Sequence, residues 1–133
     1  MSPDQERLLA RRFGFYALTF WMSMGLLLET AHAFKLSAYL DHPLRRELLL
    51  WAHAHGVGLA LVVLAYAALG VSTEALTAGK ALRAGSLLMP LGFALGVIGH
   101  GEADPGPSVW LVPVGAVLAL YALITITRHL PKA

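Results

Sequence analysis

The sequence predicts an all-α integral membrane protein, a four-helix bundle with both termini in the cytoplasm, and three observations predict it. The first is composition: of 133 residues, 57% are hydrophobic and only 14% are charged. Mean hydropathy is +0.65, whereas a soluble domain carries about a quarter charged residues. The second is patterning, because the charges fall in short blocks separated by long neutral runs. The third is that these runs are about as long as a bilayer-spanning helix, which takes roughly 20 residues. Four spans, at about 13–35, 48–70, 84–100 and 108–127, fill the chain and make 1–133 a single domain.

The same totals exclude several classes of function. A net charge of +2 with the basic residues at segment ends gives no nucleic-acid patch. The absence of cysteine removes disulfides, thiolate metal sites and thiol catalysis. No phosphate loop, nucleophile elbow or catalytic triad stands out, and no span carries an acid-base chain that would cross the membrane.

The chain opens on Ser2-Pro3-Asp4-Gln5, with Ser as N-cap, Pro in the first helical position and Gln placed for a capping box. Glu6 to Arg12 forms a short basic, amphipathic lead-in. From Phe13 to Leu28 there is no charge, and the helical pattern runs on to Lys35. Arg7, Arg11 and Arg12 before an apolar run that ends in Ala31-His32-Ala33 also imitate a signal peptide. The length of the run and its polar end favour a first span instead.

Lys35 to Glu47 reads as a loop with a turn at Asp41-His42-Pro43. The second span, from Leu48, is followed by a polar connection over Val71 to Arg83 in which Ser72, Thr73 and Thr77 are possible caps for a stub of helix. Pro90 near the middle of the third span predicts a kink. Gly101 to Pro107 is rich in turn residues. Pro113 is tolerable in the early turns of the fourth span.

Basic residues orient the whole. Arg7, Arg11, Arg12, Lys80, Arg83, Arg128 and Lys132 fall on one side, against Lys35, Arg45 and Arg46 on the other. By the positive-inside rule both termini are cytoplasmic, making this a multi-pass protein of the cell (inner) membrane, with the lipid bilayer as its solvent. Small residues recur at helical spacing: Gly85, Gly92, Gly96 and Gly99 in the third span, Ala52, Gly56 and Ala60 in the second, Gly115 and Ala119 in the fourth. They let helices approach closely, within one bundle, a homo-oligomer or a larger membrane complex.

With that topology, polar residues from three spans gather at the outer face. Glu29 and His32 lie three apart on one helical face, the spacing bundle metal sites use. Lys35 follows them. His53 and His55 lie about one and a half turns into an apolar segment, where ionisable groups are costly and mark function. Two residues apart, they point roughly 200° from one another. His53, on the Gly56/Ala60 stripe, is the better candidate to face inward, and His100 follows the Gly92/Gly96 side toward the same space.

Three readings stay open. Histidines from different helices, His53, His100 and His32, with a cation such as Lys35, Arg45 or Arg46 near the propionates, would hold haem b. Glu29, His32, His53 or His55, and His100 would hold zinc, copper or iron, since imidazole suits all three. Otherwise these groups hydrogen-bond one another and cap the bundle. Glu102 and Asp104 read as a solvated turn.

Two resemblances bear on this. Trp51-Ala-His53-Ala-His55-Gly56, opening an outward-to-inward helix, is similar to the second helix of the catalytic subunits of haem-copper oxidases and nitric oxide reductases. That resemblance implies a haem ligand at His53. The chain lacks the further helices and copper-ligand histidines of those subunits, so no oxidase or reductase chemistry comes with it. Over nearly its whole length the chain resembles small four-helix membrane proteins through Ala31-His32, His53-Ala54-His55, Ala84-Gly85 with Gly92, and Val112-Pro113-Val114-Gly115. The expected function is therefore haem or metal binding in electron transfer or metal handling, rather than catalysis by the chain alone. The alternative is an accessory subunit of a larger complex with no cofactor of its own.

Overall fold

A computed structural model describes residues 1–69 and 73–130. Among these residues the protein is all helical: α1 (Pro3–Ala33), a short α2 (Ser37–Leu40), α3 (Pro43–Leu69), α4 (Leu76–Leu95) and α5 (Leu111–Arg128), with 3-10 turns at Thr73–Ala75 and Pro107–Trp110. The long helices run alternately up and down, and each packs chiefly on its chain neighbour: α1 on α3, α3 on α4, α4 on α5. α1 meets α4 only along a short stretch.

The expected lead-in is no separate element. The Ser2 hydroxyl accepts the Gln5 N–H at 3.2 Å and the Gln5 side chain accepts the Ser2 N–H at 2.9 Å. This complete capping box starts a helix of 31 residues that runs through Arg11 and Arg12 into the apolar stretch. At its far end the Leu36 N–H bonds to the Ala31 carbonyl and the Lys35 N–H to the His32 carbonyl. That is a Schellman ending, and its left-handed residue is Lys35, at φ 52°. A residue with a Cβ occupies the position that glycine would hold without strain.

α4 starts earlier than the hydropathy pattern placed it. The 3-10 turn leads straight into a helix from Leu76 whose N-cap, Ala75, makes no side-chain cap bond. Thr77 therefore caps nothing, and Ser72 lies outside the described residues. Lys80 and Arg83 are helical, not part of a loop. The helix runs unbroken through Pro90, which is buried; having no N–H, Pro90 leaves the Ser86 carbonyl without its intrahelical partner. α4 ends at Leu95, five residues before the expected boundary, and the carbonyl of its C-cap Gly96 accepts the Gly106 N–H at 2.7 Å. Gly99, at φ +68°, reverses the chain where a side chain would be strained.

Among the described residues two helices are long and apolar enough to cross a membrane: α3, and α5 together with its leading 3-10 turn, Pro107–Arg128. α1 and α4 are diluted by Thr19, Ser23 and Glu29 in the one and Lys80, Arg83 and several glycines in the other.

Small residues share the helix contacts with Trp21, Val63, Tyr66 and Leu82, while large apolar side chains also face outward. Ala10, Gly14, Gly25, Ala52, Gly56, Ala60, Gly85, Gly92, Gly115, Ala119 and Ala122 are buried. Tyr16, Leu26, Leu27, Val117 and Leu120 are each 60–77% exposed. At the α4–α5 contact the backbones touch: a Cβ on Gly85 would lie 2.6 Å from the Gly115 carbonyl oxygen, and one on Gly92 2.8 Å from the Val112 nitrogen. The small-residue stripes of α4 and α5 thus pack these two helices against each other.

Candidate functional site

Polar groups concentrate at the two ends of the molecule, and they are arranged differently. At the end formed by the start of α1, the end of α3 and the start of α4, Glu6 is fully buried and ion-paired to Arg83, which is 17% exposed. Gly79 makes room: a Cβ there would collide with the Tyr66 hydroxyl and the Glu6 carboxylate. The Tyr66 hydroxyl donates to the Ala75 carbonyl at 3.3 Å, and Arg7 Nε donates to the Ala67 carbonyl at 2.9 Å. Among the described residues Glu6 Oε2 is the buried side-chain polar atom without a partner. A lone buried carboxylate would be costly, but a paired one ties α1 to α4 across the end of α3.

Glu6 was not among the residues the sequence singled out. Its signal was position. Glu6, Ala10 and Gly14 follow one another at four-residue spacing and lie on the buried side of α1, together with Trp21, Gly25 and Leu28. An acid that continues a small-residue stripe has a partner to find on the facing helix.

At the other end the expected residues occur together in level but divide among three faces. Between α1 and α3, the His53 ring lies over Gly25, where a Cβ would strike it, and its Nδ1 donates to the Trp21 carbonyl at 2.8 Å. Trp21 in turn fills the space above Gly56. The Gly56 position of the stripe is therefore covered by an indole from α1. Glu29 borders the same hollow as His53 and a second one with His32, Tyr39 and Arg46. Burial pushes the Tyr39 phenol above its ordinary pKa, the Arg46 cation lowers it, and Glu29 raises it again. The phenol is thus neutral and can donate. Lys35 is exposed at the helix end.

His55 lies on the opposite side of α3. Its Nδ1 donates to the Trp51 carbonyl at 2.8 Å, and its ring rests against Trp51 and Phe93, with centroids 5.4 and 5.2 Å away. His53 and His55 thus point apart, as their spacing required.

His100 does not join His53. Its Nδ1 donates to the Gly101 carbonyl at 2.6 Å, and its ring faces His42, with centroids 6.3 Å apart, across a hollow also bordered by Asp41 and Glu102. The reversal at Gly99 turns it away from the glycine face of α4. His42 carried no weight in the sequence. The signal was its place in the turn before α3, which the alternating topology sets beside the end of α4. Asp104 and Glu102 are exposed, as a solvated turn requires.

Among the described residues no three His, Asp or Glu side chains converge as metal ligands. In both His53 and His55, donation from Nδ1 leaves the lone pair on Nε2. In comparisons with known proteins, the chain matches no family model, no curated protein and no solved structure.

Proposed function

We propose that the chain is a four-span protein of the cell (inner) membrane with both termini cytoplasmic, serving as a small accessory subunit rather than an enzyme. The observation that carries this reading is an apolar exterior around helices in close contact over small residues, with Tyr16, Leu26, Leu27, Val117 and Leu120 outside. In water such a surface would aggregate. In lipid, where there is no hydrophobic drive between helices, close backbone contact over small residues is what holds helices together. By a rise of 1.5 Å per residue the 20-residue α4 is about 30 Å long, close to the hydrocarbon thickness. Trp51 and Trp110 lie near the end assigned to the outer face, at the level where membrane interfaces favour tryptophan. α5 packs chiefly on α4, and its open face, with Val114, Val117, Leu120 and Ile124, suits lipid or a further subunit.

The chain's lack of cysteine makes the test direct. Single cysteines at Ala103 and Thr73 are to be labelled with an impermeant maleimide in intact cells, alongside carbonate extraction of membranes. Ala103→Cys is expected to label from outside and Thr73→Cys only after lysis, with all protein in the pellet. Release by carbonate would remove the membrane reading, and the reverse labelling would invert the topology.

A second reading is haem b or a transition metal, favoured by the Nε2 lone pairs of His53 and His55, the form of imidazole that metals bind. Because the two rings point apart, His53 and His55 of one chain would not ligate the same haem. The dithionite-reduced minus oxidised spectrum of the purified protein tests it: haem gives sharpened α and β bands, and a flat difference removes haem.

A further inference from the structure

Between α1 and α3, at the outer end, two adjoining hollows form one seam. The outer, about 310 Å³, is lined by Glu29, His32, Tyr39, Arg46, Leu28 and Leu50. The inner, about 140 Å³, shares Leu28, Glu29 and Leu50 with it and continues to His53, Gly25, Met22 and Leu26.

Arg46 and Glu29 border the same outer hollow without closing on each other; among the described residues the ion pair is Glu6–Arg83. Two opposite charges that face one space unpaired leave room for something between them. Neighbouring Arg45 is already engaged, its Nη1 donating to the Ala38 carbonyl at 3.0 Å. Among the described residues the Tyr39 hydroxyl and the His32 ring have no hydrogen-bond partner, so both remain available to a ligand.

The order of groups along the seam selects the ligand. α1 runs outward and α3 inward, so Arg46 lies a turn nearer the outer end than Leu50, and His53 about a turn deeper. Going inward, the seam offers a cation with a phenol donor, then the Glu29 carboxylate, then the apolar Leu26 and Met22 beside the His53 ring. The complement is an anion, a hydrogen-bond donor just beneath it, and hydrocarbon, and a glycerol phosphate that keeps a free hydroxyl carries one acyl chain.

We propose that this seam binds a single-chain phospholipid of the lysophosphatidate type. Its phosphate sits against Arg46 and the Tyr39 hydroxyl, its free glycerol hydroxyl donates to Glu29, and its chain runs along Met22 and Leu26. The proposal rests on the membrane reading above, because the outer leaflet supplies the ligand.

Native mass spectrometry of the detergent-purified full chain, titrated separately with lysophosphatidate, dodecyl phosphate and lysophosphatidylcholine, tests it. Lysophosphatidate is expected to bind about tenfold more tightly than dodecyl phosphate, which lacks the hydroxyl, and than lysophosphatidylcholine, whose phosphate is capped. Arg46→Gln should weaken lysophosphatidate about tenfold. Glu29→Leu, which removes the acceptor, should abolish the preference for lysophosphatidate over dodecyl phosphate while leaving dodecyl phosphate binding unchanged or tighter, because a negative charge near the phosphate is removed. Both residues lie at the surface end of the seam, so circular dichroism should show both variants folded. Equal binding of the three lipids by the unaltered chain, or no effect of Arg46→Gln, would overturn the proposal. Carbonate extraction judges the membrane reading separately, so the two failures are told apart.

Discussion

The two ends of the molecule use their polar residues in opposite ways. At the end holding the start of α1, Glu6 and Arg83 form an ion pair, with Tyr66 and Arg7 bonded to backbone carbonyls close by. At the other end Glu29, His32, Arg46, His42 and His100 border open hollows, and Glu29 and Arg46 stay unpaired. The difference separates structure from function. Charges that pair inside a packed helix contact hold helices in register, whereas charges that face a hollow and leave each other free are available to a ligand. The histidines drew attention first because ionisable groups in apolar segments are rare, yet the most deeply buried charge is Glu6.

The largest effect is expected from Arg83→Met. It leaves Glu6 buried without a cation and should lower stability by about 3–5 kcal/mol, read from thermal unfolding in detergent. Glu6→Gln combined with Arg83→Met should recover most of that loss, since the uncompensated charge is gone. If the single variant unfolds like the unaltered chain, the closed end is not held by this pair.

Next comes a contrast among the histidines. His53→Ala removes the bond to the Trp21 carbonyl and empties the space over Gly25, so a loss of about 1–2 kcal/mol is expected. His42→Ala and His100→Ala, at the open end, should each change stability by less than about 0.5 kcal/mol. Equal effects at all three positions would erase the distinction between packed and open histidines.

The smallest effect has the opposite sign. Lys35→Gly relieves a left-handed residue at the end of α1 and should stabilise the protein by up to about 1 kcal/mol.

Much of this was legible in the residues. The all-helical class followed from long neutral runs, the start of α1 from Ser2-Pro3-Gln5, and the divergence of His53 and His55 from their spacing. The misplaced boundaries share one cause. Hydropathy marks where charge stops, but a helix starts where backbone hydrogen bonds and packing allow. Lys80 and Arg83 looked like loop because they are charged; Arg83 is helical because Glu6 of another helix receives it.

Local sequence therefore determined the helices themselves, their approximate order up and down, and which residues share a helical face, because periodicity and capping act within a few residues along the chain. Only the tertiary structure decided which face met which. It put Trp21 over Gly56 and His53 over Gly25, turned His100 toward His42, and paired Glu6 with a residue 77 positions away. Those outcomes depend on how close two backbones can come, and that distance is set jointly by both helices.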